Sequence, residues 1–295
     1  MKSIHLSNSI AKIEIAPSLG GAILAYEAKI KGEFLPILRQ ANQAKTVLES
    51  SCFPLVPYSN RIKHGQFTYL EKKITLPLNH FPEKHSIHGH GWQLPWEIID
   101  KTETSLTLQY HYQTAEWPYS YSATQVFILE HNTLNITLSI INTANNNMPA
   151  GLGLHPYFSL TKDTLIQCSV DKMWAVDDES MPTSLVSPPK NIKSAEGLLI
   201  AGSKLDNVFT GFAGEATITW PEWQAKANIT TSSNCQFIVI YSPDGEDYFC
   251  FEPVTHCTDA INMANKGLKN TGINYLKPQE KMTVSMRISV EDIAN

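Results

Sequence analysis

Three segments place a titratable side chain among apolar neighbours that would desolvate it. In Gly151-Leu-Gly-Leu-His155-Pro-Tyr-Phe158 a histidine closes a glycine-rich strand and a proline follows at once. This order predicts His155 at a strand end with little backbone freedom. An imidazole titrates near neutral pH, so His155 suits a general acid or base, with a hydrogen-bonded core histidine as the alternative. In Asp247-Tyr-Phe-Cys-Phe-Glu252-Pro253 a carboxylate ends an aromatic strand. Set among Tyr and Phe, Glu252 costs desolvation unless it has partners or a task, and such a carboxylate can be a tuned base. Turned outward, it would be an ordinary strand-end glutamate.

The third segment runs Lys84-His85-Ser-Ile-His88-Gly-His90-Gly-Trp92, with Trp96 close behind. Three histidines in six residues invite a metal reading, because imidazoles are common ligands and the pattern predicts His88 and His90 on one strand face. In a cupin-type site the carboxylate follows the second histidine after three or four intervening residues; the first acid here, Glu97, follows after six. Glycine and tryptophan around polar groups fit a sugar better, since its C–H faces stack on aromatic rings while its hydroxyls need donors and acceptors. Ordinary core packing accounts for at least one of Trp92 and Trp96. Two smaller pieces are Asn60-Arg61-Ile62, holding one of only three arginines, and Leu205-Asp206-Asn207-Val208-Phe209.

Short strands must position these groups. Leu106, Leu108, Tyr110 and Tyr112 alternate with polar residues, and 125–142 reads as a hairpin turning at Glu130-His-Asn-Thr with Leu134, Ile136, Leu138 and Ile140 on one face. The same period recurs at Ala216, Ile218 and Trp220, at Phe237, Val239 and Tyr241, and from Met282 to Val290, each predicted to be half-buried. Helical periodicity is confined to 41–51 and 258–266, and the Pro-rich 184–193 reads as a surface loop. The pattern predicts an all-β fold of packed antiparallel sheets with a few short helices, as one domain over 1–295.

Bulk properties narrow the function. With 42% hydrophobic and 17% charged residues, the 295-residue chain can build a large core. A net charge of −5 gives no footprint for nucleic acid. No segment reaches the ~20 apolar residues of a membrane helix, and Met1-Lys-Ser-Ile-His-Leu does not read as a secretory signal. Five scattered cysteines without a CxxC pair suit reduced thiols in the cytoplasm.

Taken in chain order, Asn60-Arg61-Ile62, Ile87-His88-Gly89, Gly151-Leu-Gly-Leu-His155-Pro-Tyr-Phe, Leu205-Asp206-Asn207-Val-Phe and Phe251-Glu252-Pro253 resemble the aldose 1-epimerase (galactose mutarotase-like) family, nearer its bacterial branch of uncertain sugar specificity. The resemblance implies a large antiparallel β-sandwich, the galactose mutarotase-like supersandwich, with an open sugar groove across one sheet. It implies Glu252 as general base and His155 as general acid, with His88, Arg61 and Asp206 holding sugar oxygens. Asn60 and Trp92 accompany them as candidate sugar contacts. The family's His-Gly-Gly piece is here His88-Gly89-His90, which adds His90 as an extra donor without an inherited role. No metal or other cofactor is required, and the expected partner is a small sugar, bound by a monomer or homodimer. Two rival readings share the fold: a hexose-phosphate 1-epimerase, with Lys63 and His64 as extra cations, and a non-catalytic carbohydrate-binding or regulatory protein.

Overall fold

Period-2 alternation builds two large antiparallel sheets in the computed structural model, which describes residues 2–113 and 116–293. The nine-stranded sheet centres on the expected hairpin. Tyr121–Glu130 and Thr133–Asn142 pair across a turn at His131 and Asn132, and Lys281–Asp292 pairs on the far side. Leu134, Ile136, Leu138 and Ile140 are buried, as are Met282, Val284, Met286, Ile288 and Val290. The opposite faces stay polar and half-exposed, as an antiparallel sheet wet on one side allows.

The eleven-stranded sheet carries Gly153–Ser159, Tyr248–Val254, Phe237–Tyr241 and Asp206–Thr210 side by side at its middle, with Cys52–Leu55 beside the first of these. One face packs on the other sheet: Phe158, Phe209, Ile238, Ile240, Phe249 and Phe251 share a continuous core with the hairpin's leucines and isoleucines. Burying each such side chain contributes roughly 1.5–3 kcal/mol. Trp220 fastens the two layers by donating its indole N–H to the Ser159 carbonyl at 2.8 Å.

The second face of this sheet is not left to solvent. Phe53, Leu55, Tyr157, Val208, Phe237, Val239 and Cys250 form a second apolar cluster, covered by Val47, Ile87, Trp92 and Ala260 from connecting segments. Phe237–Ile240 is therefore buried on both faces rather than half-buried as its alternation predicts. A sheet buried on both sides can enclose a cleft under its covering loops.

Three local expectations change. The strands of His155 and Glu252 run through their prolines, so neither residue ends its strand. Gly153 pairs with Val254 and Tyr157 with Cys250 in one register; the ladder is interrupted between them at Pro156 and Pro253, which lack an N–H to donate, while each proline stays in register with its other neighbour, Cys52 and Ile238. The 41–51 segment holds a single 3₁₀ turn, Val47–Glu49, because Arg39 takes the Leu48 and Ser50 carbonyls a longer helix would need. Of 184–193, the first residues belong to an edge strand, Pro182–Val186, and the Pro-rich loop begins after it. The expected helix near 258–266 is present as Ala260–Asn265.

Candidate functional site

The shared register puts His155 directly opposite Glu252 on the covered face of the large sheet. Their side chains meet there, His155 Nε2 lying 3.3 Å from Glu252 Oε1, with the residues only 8% and 3% exposed. They line a cavity of about 320 Å³ together with Asn60, Arg61, His88, Trp92 and Asp206. Seven of the eight residues singled out in the sequence thus converge from five separate segments.

His90 does not join them. Its ring stacks on Tyr112 at 4.6 Å and its Nε2 lies 3.7 Å from Glu116, away from the cavity. The expectation of His88 and His90 on one strand face fails because the strand ends at Ile87 and both His88 and Gly89 adopt positive φ. A side chain at Gly89 would lie 2.4 Å from the Val56 carbonyl, so glycine is required where the chain turns. With the pair split, the HxH metal reading has no geometry to support it.

Backbone amides fix the segment that carries Asn60 and Arg61. Ser59 N–H donates to His256 Nε2, Asn60 N–H to His88 Nδ1 and His64 N–H to His85 Nδ1, each at 3.0 Å. Each accepting nitrogen must be unprotonated. Burial pushes His256 down to about 4 and His88 well below the usual histidine range, with the His155 and Arg61 charges adding to the second effect. His256 then carries its proton on Nδ1, which donates to the Cys257 carbonyl at 2.8 Å. His88 carries its proton on Nε2, a neutral donor suited to a sugar oxygen in the cavity.

The rings of Phe53, at 4.4 Å, and Tyr157, at 4.7 Å, both pack against the imidazole of His155, and they meet each other at 6.1 Å. Arg39 lies 3.6 Å from the centre of the Tyr157 ring and braces it by a cation–π contact. Neither Phe53 nor Arg39 was singled out in the sequence. Tyr157 was legible as the next residue on the His155 face, whereas nothing local marks the other two. His80, Glu83, Leu48, Val239 and Tyr241 also line the cavity without a sequence signal. Trp92 is 1% exposed and its indole N–H goes to the Gly89 carbonyl, so it supplies ring surface and no donor; Trp96 is core.

Electrostatics set the proton count. Burial, then the nearby Asp206 charge, raises Glu252 well above the usual carboxylate range, and Arg61 opposes this. Burial pushes His155 down to about 3, with Arg39 adding to the effect. Both shifts disfavour charge, which favours a net-neutral pair with one proton between its two members. Arg61 Nε pairs with Glu83 at 3.0 Å, and Ser180 donates to Asp206 at 2.8 Å. Beyond Arg61 and Glu83 the groove opens into a second cavity of about 310 Å³, where Lys84 is paired with Glu179 at 2.6 Å. Lys63 and His64 line neither cavity. The lining cations thus have carboxylate partners, and the groove offers no surplus of positive charge to a phosphate.

Comparisons with known proteins agree with this architecture. A family model described as aldose 1-epimerase matches residues 2–289. The uncharacterised protein YphB of Escherichia coli K12 is 28% identical over 294 residues, spanning 97% of this chain and 98% of that protein. A crystal structure of an Escherichia coli K12 protein provisionally described as an aldose 1-epimerase superposes with a TM-score of 0.89 at 27% identity, covering 99% of each chain. A galactose mutarotase-like protein of Clostridium acetobutylicum shares the fold, with a TM-score of 0.85 at 19% identity over 98% of this chain and 95% of its own.

Proposed function

Because the chain belongs to the aldose 1-epimerase family, we propose that it interconverts the α and β anomers of a free, unphosphorylated aldose, with residues 1–295 working as one domain. The observation that carries this reading is the Glu252–His155 pair, two buried groups 3.3 Å apart, whose burial disfavours charge on both. Anomer exchange needs one acid and one base at the same moment. Glu252 takes the proton of the C1 hydroxyl while His155 gives one to the ring oxygen; the C1–C2 bond turns, and the roles reverse on closure. The hydroxyl entering between them satisfies Glu252 Oε2, which is buried without a hydrogen-bond partner among the described residues, and so draws the proton of the pair towards His155.

His88 Nε2–H and Arg61 donate to sugar oxygens, Asp206 accepts from hydroxyls, and Trp92 offers ring surface to the C–H face. Each positioned proton-transfer group typically contributes about 10²- to 10⁴-fold, which suffices for a reaction already easy in water. Paired cations favour a neutral sugar over a hexose phosphate.

Polarimetry of freshly dissolved α-D-glucose and α-D-galactose tests the reading. Wild-type protein should speed the approach to the same final rotation, and Glu252→Gln should lose that acceleration by at least about 100-fold while keeping the fold. Full activity in the variant overturns the assignment of the base. Sugar binding by calorimetry without any acceleration would make the protein a binding module.

A further inference from the structure

Cys250 lies two residues before Glu252 on the same face of the same strand, and pairs with Tyr157 next to His155. One donor atom from each of His155, Cys250 and Glu252 falls within 4.8 Å of the other two, and all three residues are buried. The set combines an imidazole, a thiol and a carboxylate, which zinc accepts together and which magnesium and calcium do not favour. Ligands about 2.0–2.1 Å from a tetrahedral zinc lie about 3.4 Å apart, and His155 Nε2 to Glu252 Oε1 is already 3.3 Å. A second, independent observation is Glu252 Oε2, fully buried with no hydrogen-bond partner among the described residues.

We propose that His155 Nε2, Cys250 Sγ and a Glu252 oxygen form a three-ligand site for a thiophilic divalent cation such as zinc, open to the groove for a fourth ligand. Binding exchanges protons for metal without any redox step. The Cys250 thiol proton and the proton shared by Glu252 and His155 pass to solvent as the metal–ligand bonds form. The binding claim is independent of the sugar chemistry; its consequence, inhibition, rests on the proposed epimerase reading, since the metal would occupy both the acid and the base.

Full-length protein stripped with chelator is titrated with zinc chloride by calorimetry, and in parallel with cobalt(II) by absorbance. The expected results are one zinc per chain and a thiolate-to-cobalt charge-transfer band in the near ultraviolet. Cys250→Ala should lose the band and weaken zinc by about tenfold or more, while Cys257→Ala, removing another buried thiol, should keep both. If thermal melts show Cys250→Ala misfolded, the closer-sized Cys250→Ser replaces it. Unchanged zinc affinity in the Cys250 variant, a cobalt complex without the band, or no binding to folded wild type each overturns the proposal. Because the band is read without sugar, a protein that binds metal but does not speed mutarotation would refute the epimerase reading alone. Under that reading, zinc should inhibit anomer exchange in wild type and magnesium should not.

Discussion

Replacing His256 with glutamine should flatten the acid limb of the stability curve. A proton that binds at pH 6.5 in the unfolded chain and near 4 in the folded protein links folding to pH. The folded value is depressed, so the stabilisation is complete above pH 6.5 and is lost as pH falls towards 4. In that window the slope approaches about 1.4 kcal/mol per pH unit, and between pH 7 and pH 5 the loss is about 2 kcal/mol. Gln Oε1 can stand where His256 Nε2 accepts the Ser59 N–H, and it does not titrate. His85, His88, His90 and His155 act in the same direction as His256. Glu252 and Asp259, both raised, act against it. The difference between wild type and His256→Gln isolates one proton. Urea unfolding at half-unit steps from pH 7.5 to 4.5 measures it: wild type should lose about 2 kcal/mol more than the variant between pH 7 and 5. Parallel curves, agreeing within a few tenths of a kcal/mol, would show that His256 is not held neutral by that amide.

Gly151→Ala would set a methyl 1.9 Å from His256 Cδ2, and the displaced ring should cost about 1–3 kcal/mol in a urea melt at pH 7; an unchanged midpoint contradicts the close approach. Arg39→Met removes the cation over Tyr157 and should lower kcat by about 2- to 30-fold with KM little changed. Because the Arg39 charge helps depress His155, the acid limb of its kcat profile should also move to higher pH, and a rise in KM alone would argue against a positioning role.

What could be read from the residues depended on whether the signal was local. The hairpin at 125–142 was legible because its period and its turn lie within one stretch of chain. Burial of Phe237–Ile240 on both faces was not, since the cover comes from Val47, Ile87, Trp92 and Ala260, distant in sequence. The same contrast divides the cleft. His155 and Glu252 stood out as polar residues in apolar strands, whereas Phe53 and Arg39 look like ordinary residues until the stack on His155 forms. His90 misled because an HxH spacing implies a strand, and the chain leaves strand geometry at His88. The prolines after His155 and Glu252 misled for a related reason: each interrupts one ladder, while the strand on its other side, Cys52–Leu55 or Phe237–Tyr241, holds it in register.

The stretch from Ser59 to His64 is fastened by its own main-chain amides to imidazoles from elsewhere in the fold. An anchorage of that kind is indifferent to most side chains it holds in place. Arg61 can therefore be exchanged with little penalty to the loop's path, while Asn60, at a φ of 57°, is restricted to the few residues that tolerate such a backbone. Selection, or a designer, can rewrite which hydroxyls the cleft greets at one position without rebuilding the frame that presents them, and the histidines that look most like reactive groups are the fixtures that make such rewriting safe.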